Sequence, residues 1–405
     1  MKAAPAREVE PASLRGPLSI AISTFFVWGL AYGLLDVLNK HFQETLSVGK
    51  AQSTWLQMAY FGAYLLVSLP AGQLLQRTSY RFCILAGLGL AAAGAFLFVP
   101  SAEAFSFPLF VGSTFVLAAG LCVLETAADT YVNVLGPPDG AERRLNLAQS
   151  FNGLGVFLGP LIGGAVFFGG DHSVTGHLAL RGVEITYAVI GVAVLIFAAG
   201  VSRARLPEIA APVHEGVDAA NASLARRHFV LGVITQALYI GAQVGCGAFF
   251  INAATESWRG MSSQQAAFLL SLALFGYLVG RFVSTALLTR FKPRAILLVY
   301  GLANVVLTLL VAANLGKASA VALVAVFFFM STMFPTLFGL GVKDLGAATK
   351  RGSSVMVMAI GGGVLLPYPM GLIAEAYGSP AAFVLPAICF AAVALYGWKG
   401  AEVRP

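Results

Sequence analysis

The chain has 405 residues, of which 58% are hydrophobic and 11% are charged, against about 45–50% and about 25% for an ordinary soluble domain. Its 25 Lys and Arg exceed its 18 Asp and Glu by only seven. This positive charge is spread too thinly along the chain to form a nucleic-acid-binding surface. The composition therefore excludes most soluble proteins and predicts an all-α integral membrane protein.

Apolar segments long enough to cross a bilayer recur along the whole chain. A spanning helix needs about 20 apolar residues, and a β-barrel is excluded because its strands would alternate polar and apolar residues over about 10 positions. Polar breaks delimit twelve segments, numbered here as spans 1 to 12: 18–40, 53–76, 82–100, 107–135, 145–169, 183–203, 228–253, 263–289, 295–315, 318–342, 353–377 and 380–398.

The distribution of Lys and Arg predicts the orientation. With the N-terminus placed inside, nineteen of these residues fall on the inner side and five on the outer side, and Arg281 lies within span 8. Cytoplasmic loops carry the excess of Lys and Arg in membrane proteins. We therefore predict that both termini are cytoplasmic.

A polar stretch between spans 6 and 7 divides the chain into six spans plus six. The predicted units are a cytoplasmic tail, an N-terminal half, a cytoplasmic loop, a C-terminal half and a second cytoplasmic tail, at 1–17, 18–203, 204–227, 228–398 and 399–405. Such a repeat places a binding site near the midplane, between halves that rock against each other. This indicates a secondary transporter with major-facilitator 6+6 halves, and no Walker-type loop indicates ATP coupling.

Basic residues at the inner helix ends recur at similar positions in the two halves. Arg77 and Arg81 match Arg290 and Arg294 at an offset of 213 residues. Arg144 and Arg351 correspond in the same way, at an offset of 207. We expect these six arginines to act in gating, together with Arg281.

Four charged residues lie where lipid should exclude them: Asp36, Glu125, Asp129 and Arg281. An acid at membrane depth costs at least about 2.5–3.5 kcal/mol on insertion scales, so it faces the bundle interior or water. The three acids are candidates for proton uptake and release. Arg281 is either a tie between helices or a group that neutralises an acid or binds an anion.

Uncharged amides and aromatic side chains accompany these charges. Amides either join helices or exchange hydrogen bonds with sugar hydroxyls, while aromatic rings offer faces to sugar C–H groups. The candidate substrate-binding residues are Trp28, Tyr32, Gln57, Tyr60, Gln149, Asn152, Gln243 and Asn252. The four cysteines lack metal-ligand spacing, so neither a metal nor a cofactor is expected.

Several of these residues fall in stretches that resemble the fucose/glucose–galactose permease family of the major facilitator superfamily. The resemblance rests on Asn-Leu-Ala-Gln-Ser-Phe-Asn at 146–152, Leu-Glu-Thr-Ala-Ala at 124–128, and Phe-Phe-Val-Trp-Gly at 25–29 followed by Asp36. It continues in the second half at 241–243, 334–336, 352–354 and 361–363. It covers nearly the whole chain.

The resemblance implies a sugar symporter, driven by protons in most members and by sodium in some. It implies that Asp36 and Glu125 couple the ion and recognise sugar, that Gln149 and Asn152 contact sugar, and that Trp28 lines the cavity.

The sequence departs from the family in span 1 and in span 4. Leu35 stands where Asn is usual, and Asp129-Thr130 stands where Asn-Pro is usual. Asp129 is thus a candidate second titrating group or part of a cation site.

Together these patterns predict a proton-coupled importer of a neutral monosaccharide, a hexose or 6-deoxyhexose, working by alternating access. We expect a monomer surrounded by lipid in the bacterial inner membrane, with no enzymatic activity. The alternatives are a sodium-coupled sugar symporter, a drug/proton antiporter and, from another class, a membrane sugar sensor.

Overall fold

The computed structural model describes residues 15–135, 141–169, 176–204, 206–207, 226–345 and 349–400. Every regular element within these ranges is helical. Both predicted tails and the predicted loop between the halves fall mostly outside the described residues.

The twelve predicted spans are confirmed as helical segments long and apolar enough to cross a membrane. The first half contains the helices Arg15–Thr45, Lys50–Ser53, Trp55–Arg77, Tyr80–Glu103, Phe107–Val134, Ala141–Phe167 and Arg181–Arg203, with a 3-10 helix at Gly176–Leu180. The second half contains Arg227–Ala248, Phe250–Ser257, Ser263–Leu288, Pro293–Ala312, Lys317–Met330, Met333–Val342, Thr349–Met358, Pro367–Tyr377 and Val384–Leu395, with 3-10 helices at Ala359–Val364 and Pro380–Phe383 and a π-helical turn at Tyr396–Gly400.

Three spans of the second half are interrupted. Span 7 ends at Ala248, and a short helix, Phe250–Ser257, continues it towards the outer end. Span 10 breaks between Met330 and Met333, and span 11 contains a 3-10 segment at Ala359–Val364. That segment includes three consecutive glycines, which weaken an α-helix by about 1 kcal/mol each. Interrupted helices of this kind surround the binding sites of many transporters.

Spans 1 and 5 pack backbone to backbone through two pairs of glycines. Gly29 and Gly33 on span 1 face Gly155 and Gly159 on span 5, and a Cβ on Gly155 would lie 2.5 Å from the Phe26 carbonyl oxygen. Small residues spaced by four are typical of close helix contacts in membranes. The contact fixes span 1, which carries Trp28 and Asp36, against span 5.

The second half repeats this arrangement. Gly362 of span 11 lies against the backbone of Ala237 in span 7, and Gly241 of span 7 lies 3.1 Å, measured from its ideal Cβ position, from the Gly362 carbonyl oxygen. Spans 7 and 11 therefore pack like spans 1 and 5, six spans earlier in the chain. The weak sequence repeat has a structural counterpart.

The two halves meet at the end that the charge bias assigns to the outside. Lys50 Nζ lies 2.7 Å from Glu256 Oε1, and Glu256 also accepts hydrogen bonds from the backbone N–H and hydroxyl of Ser379, at 2.7 and 2.6 Å. The Ala51 N–H donates to Glu375 Oε1 at 2.9 Å. We call the contact between Lys50 and Glu256, whose carboxylate Ser379 holds in place, the outer latch. The structure therefore has a closed outer end.

Candidate functional site

Span 1 and span 4 form a narrow cleft with an acid on one wall and an indole on the other, and in this arrangement it is too tight to hold a water molecule. Glu125 comes from span 4 and Trp28 from span 1; the complete lining is Thr24, Phe25, Trp28, Leu124, Glu125 and Ala128. Trp28 Nε1 donates to the Tyr60 hydroxyl at 3.2 Å, which fixes the indole against span 2. The structure thus brings together three of the predicted site residues.

Aromatic rings continue from this cleft along spans 1 and 2. The Tyr60 ring stacks on Tyr64 with centroids 5.4 Å apart, and it lies 5.8 Å from the ring of Tyr32. Phe61 meets Tyr32 edge to face at 6.2 Å. These spacings are typical of favourable aromatic pairs. They hold Tyr32 and Tyr60 in fixed orientations beside Trp28.

Glu125 and Asp129 lie one turn apart on the same face of span 4. Buried Glu125 Oε2 and Asp129 Oδ1 both lack a hydrogen-bond partner among the described residues. An ionised carboxylate without a partner costs far more free energy when buried than a neutral acid does, and hydrogen bonds from a bound ligand would offset the cost. The pair is therefore suited to taking up a proton, or to binding hydroxyl donors of a ligand.

Asp36 lies apart from this pair, deeper in the contact between the halves. It is 7% exposed, and Gln57 Nε2 donates to its Oδ1 at 3.5 Å. Its other carboxylate oxygen faces Gly247 of span 7, where a Cβ atom would overlap it. Asp36 is the predicted coupling residue that contacts the opposite half directly.

The predicted amides divide into two groups. Asn152 Nδ2 donates to the Phe25 carbonyl at 3.2 Å beside the Trp28 cleft, and Gln149, one turn earlier on span 5, is half-buried. Gln243 on span 7 is also half-buried. These three remain accessible for a ligand.

The other two predicted amides are fully buried. Gln57 is 0% exposed, and its amide contacts Asp36 and Asn39. Asn252 is also 0% exposed, and neither polar atom of its side chain has a partner among the described residues. In this closed-outer arrangement neither side chain is open to a ligand.

Within the part of the chain that the structure describes, Arg281 approaches an aromatic side chain and forms no ion pair with an acid. Its guanidinium carbon lies 5.0 Å from the ring centroid of Tyr277, and Nη2 lies 3.4 Å from the Tyr277 hydroxyl. Nε is buried and has no partner among the described residues. A cation over a ring is stabilised even where water is excluded, which explains how span 8 carries this charge.

The predicted gating arginines of the first half contact their own half. The Arg81 guanidinium donates to the Ser202 carbonyl, and Arg144 Nε donates to the Val132 carbonyl at 3.0 Å. Both contacts join inner helix ends. The side chain of Arg351 lies outside the described part of the structure.

In the second half, Arg294 is placed like Arg81. Its Nε and Nη2 atoms donate to the carbonyls of Gly397 and Trp398 at 3.3 and 2.6 Å. Arg77 and Arg290 are exposed at the inner helix ends. The described contacts thus strengthen each half, and a gating role for these arginines stays a prediction.

Sequence reasoning missed Asn39 and Gln43. Asn39 Nδ2 donates to Gln57 Oε1 at 3.0 Å, and Gln43 Nε2 donates to Asn39 Oδ1 at 2.8 Å. Both follow Asp36 at helical spacing, three and seven residues on, so they share its face of span 1. This helical spacing from Asp36 is the sequence signal that could have identified both amides.

Within the described ranges, no group of three or more His, Cys, Asp or Glu side chains is placed to hold a metal ion. The chemistry that these side chains offer is proton binding by carboxyl groups and hydrogen bonding to a neutral, polar ligand against aromatic rings. Both belong to transport and not to covalent catalysis.

The sequence profile of the Major Facilitator Superfamily matches residues 19–366. The chain is 35% identical over 403 residues to the L-fucose-proton symporter of Escherichia coli (strain K12), covering 94% of this chain and 92% of that protein. It is 34% identical over 380 residues to the glucose/galactose transporter of Brucella abortus biovar 1 (strain 9-941), covering 93% and 92%.

The fold is similar to that of a solved structure with comparable identity. The crystal structure of the transporter FucP in the outward conformation superposes with a TM-score of 0.70 at 34% identity, over 96% of this chain and 100% of FucP.

Proposed function

Because the chain belongs to the Major Facilitator Superfamily, we propose that it imports a neutral monosaccharide by proton symport and alternating access. Its similar proteins include an L-fucose-proton symporter and a glucose/galactose transporter, so the substrate class is a hexose or a 6-deoxyhexose. The protein is a multi-pass transporter of the bacterial inner membrane and not an enzyme.

The observation that carries the proposal is the position of Glu125 opposite Trp28 across the cleft, which has to widen to admit a sugar. A sugar ring has a face of C–H groups and an edge of hydroxyls. The indole of Trp28 suits the face, and the free Glu125 Oε2 accepts from a hydroxyl. Gln149 and Asn152 on the adjoining span 5 supply amide donors and acceptors beside it.

We assign ion coupling to Asp36 as the main coupling group. It is buried at the contact with span 7, so a change of its charge acts on the interface between the halves. Outward-facing, the carrier takes up a proton and sugar; both leave on the inner side, and the empty carrier returns. Asp129, with its unpartnered Oδ1, is the candidate second titrating group.

Transport into proteoliposomes under an imposed pH gradient tests the proposal. L-fucose, D-glucose and D-galactose are the probes. Glu125→Gln and Asp36→Asn should each abolish accumulation, and Asp36→Asn should retain counterflow exchange. Glu103→Gln, at an exposed acid on the outer end of span 3, is the control and should accumulate sugar normally. Accumulation that survives both carboxylate variants would refute the assignment.

Sodium is the second candidate for the coupling ion, because Glu125 and Asp129 present two carboxylate oxygens without partners. Replacing sodium by choline at fixed pH separates the two ions. Unchanged accumulation supports proton coupling, and its loss assigns coupling to sodium. A thermal-shift panel addresses the substrate class, since stabilisation by hydrophobic cations and not by sugars would indicate a drug antiporter.

We also propose that the protein works as a monomer in contact with lipid. Large apolar side chains stand exposed on the outer faces of the spans, such as Leu66, Ile196 and Phe282 at 64, 68 and 63%. Lipid tails solvate such side chains. Light scattering of the detergent-solubilised protein should give a protein mass of one chain per particle.

A further inference from the structure

A chain of hydrogen-bonded side chains runs from Asp36 towards the outer end. Gln57 Nε2 donates to Asp36 Oδ1 at 3.5 Å, and Asn39 Nδ2 donates to Gln57 Oε1 at 3.0 Å. Gln43 Nε2 donates to Asn39 Oδ1 at 2.8 Å. The three amides thus alternate between span 1 and span 2 and lead away from the candidate coupling carboxylate.

The chain continues to the outer latch. Gln43 Nε2 also lies 2.9 Å from Ser53 Oγ, and the Ser53 hydroxyl donates to the Lys50 carbonyl at 2.8 Å. Lys50 Nζ in turn contacts Glu256 of the opposite half at 2.7 Å. A path of hydrogen bonds therefore joins Asp36 to the backbone of Lys50, the residue whose side chain closes the outer end.

The donors along the amide part of the path all face the same way. Gln43 donates to Asn39, Asn39 to Gln57, and Gln57 to Asp36. Aligned hydrogen bonds polarise one another, and a charged terminal acceptor makes its bond about twice as strong as a neutral one. The charge on Asp36 therefore affects the strength of the whole row.

Burial prevents water from replacing a broken link at Asp36, Asn39 or Gln57, whereas the half-buried Gln43 is held by its two bonds to Asn39 and Ser53. Asn39 and Gln57 are 0% exposed and Asp36 is 7% exposed. A buried amide that loses its partner cannot form a hydrogen bond with water in its place, so its polar atoms stay unsatisfied. When one link changes, its neighbours must reorient, and the change reaches Ser53 and the Lys50 segment.

We propose that Gln57, Asn39 and Gln43 are positioning residues that couple the charge state of Asp36 to closure of the outer latch. The inference rests on the proposed role of Asp36 as the coupling carboxylate. The amides bind neither sugar nor proton. They hold Lys50 in the place where it meets Glu256 as long as Asp36 accepts at the other end.

The test is a double-mutant cycle read out as the distance between the halves. Spin labels are attached at Ala104→Cys and Arg259→Cys, which are exposed at the outer end on opposite halves, while the four native cysteines are buried. Distance distributions are measured in nanodiscs without sugar or gradient. The protein carries Asp36→Asn, Asn39→Leu or both.

Each single substitution should lower the ratio of closed to open outer ends about fivefold, the size of a change near 1 kcal/mol. The double variant should show no further change, whereas independent sites would multiply to about 25-fold. Gln43→Met, which breaks the links to Asn39 and Ser53, should reproduce the effect and also make the ratio insensitive to Asp36→Asn. A multiplicative double variant, or an unchanged ratio in Asn39→Leu, would overturn the inference.

Asn304→Leu is the matched control. Asn304 is also 0% exposed, but it lies in span 9 and neither polar atom of its side chain has a partner within the described residues. Its variant should keep the wild-type ratio and its response to Asp36→Asn; loss of that response would show that any buried amide matters and would overturn the inference. Because the distance is measured without sugar, a failure here is distinct from failed accumulation in Asp36→Asn.

Discussion

At the scale of single residues, the contact between Asp36 and Gly247 decides how closely the halves approach. Gly247 presents bare backbone to the Asp36 carboxylate, and a Cβ there would overlap Oδ2. A larger residue would displace either the carboxylate or span 7. The position therefore ties a candidate coupling group to the opposite half without a hydrogen-bonding side chain.

Gly247→Ala should lower the initial rate of pH-gradient-driven sugar uptake about tenfold, which corresponds to ~1.4 kcal/mol. Gly276→Ala in span 8 is the control, because its added Cβ would meet nothing within 4 Å. That variant should transport within about twofold of wild type, since no neighbouring atom has to move to accommodate the methyl group. Equal rates in both variants would contradict the role given to the Asp36 contact.

The sequence alone was sufficient to find the acids but not their partners. Asp36 and Glu125 stand out because lipid excludes charge. Asn39 and Gln43 do not, because uncharged amides are an ordinary means of joining helices within the membrane. Likewise the sequence places Arg281 in span 8, but only the fold shows that its guanidinium lies over Tyr277.

At the scale of helices, the close packing of span 1 against span 5 requires glycine at the contact. Gly155 lies so close to span 1 that a Cβ would come within 2.5 Å of the Phe26 carbonyl and 2.6 Å of the Leu30 amide nitrogen. These are backbone atoms, which move only with the whole helix. The two helices carry Trp28, Asp36, Gln149 and Asn152, so their spacing sets the width of the site.

Gly155→Ala should therefore destabilise the protein by about 1–3 kcal/mol, the range for an overpacked core. Gly62→Ala is the control, because its Cβ would meet nothing within 4 Å and alanine favours the helix by about 1 kcal/mol. Thermal unfolding in one detergent should give a lower midpoint for the first variant and an unchanged or higher one for the second. The reverse order would be inconsistent with the packing described.

Helix positions were predictable from hydropathy, and helix interruptions were not. The twelve spans agree with the predicted segments to within a few residues, because lipid imposes a length of about 20 apolar residues. An apolar run does not record whether its backbone continues unbroken. Gly245 and Gly247 precede the break after Ala248, and Pro335, which has no N–H to donate to the Ser331 carbonyl, follows the break after Met330. Prolines also stand inside helices that continue unbroken, at Pro70, Pro100 and Pro160, so these residues alone do not predict a break.

At the scale of the whole molecule, the outer latch is where charge holds the halves together. Burial raises the pKa of Glu256, but hydrogen bonds from Lys50 and Ser379 outweigh it, and the pKa of this carboxyl lies below its ordinary value. A second ion pair, Lys40 Nζ–Glu44 Oε1 at 3.4 Å, lies within one helix at the same end. The two pairs differ in that only the first crosses between the halves.

The lowered pKa of Glu256 gives outer closure a defined pH dependence. In an open outer end Glu256 regains its ordinary pKa of about 4.3, so the latch stabilises closure fully above that pH and stops doing so as the pH falls through the lowered value. Spin labels at positions 104 and 259 should show a rising open fraction below about pH 4. Lys50→Met should raise the open fraction at neutral pH and remove most of the acid response, whereas Lys40→Met should keep both as in wild type. If Lys50→Met retained the full acid response, another titrating group, with Asp36 the first to examine, would control the outer end in place of the latch.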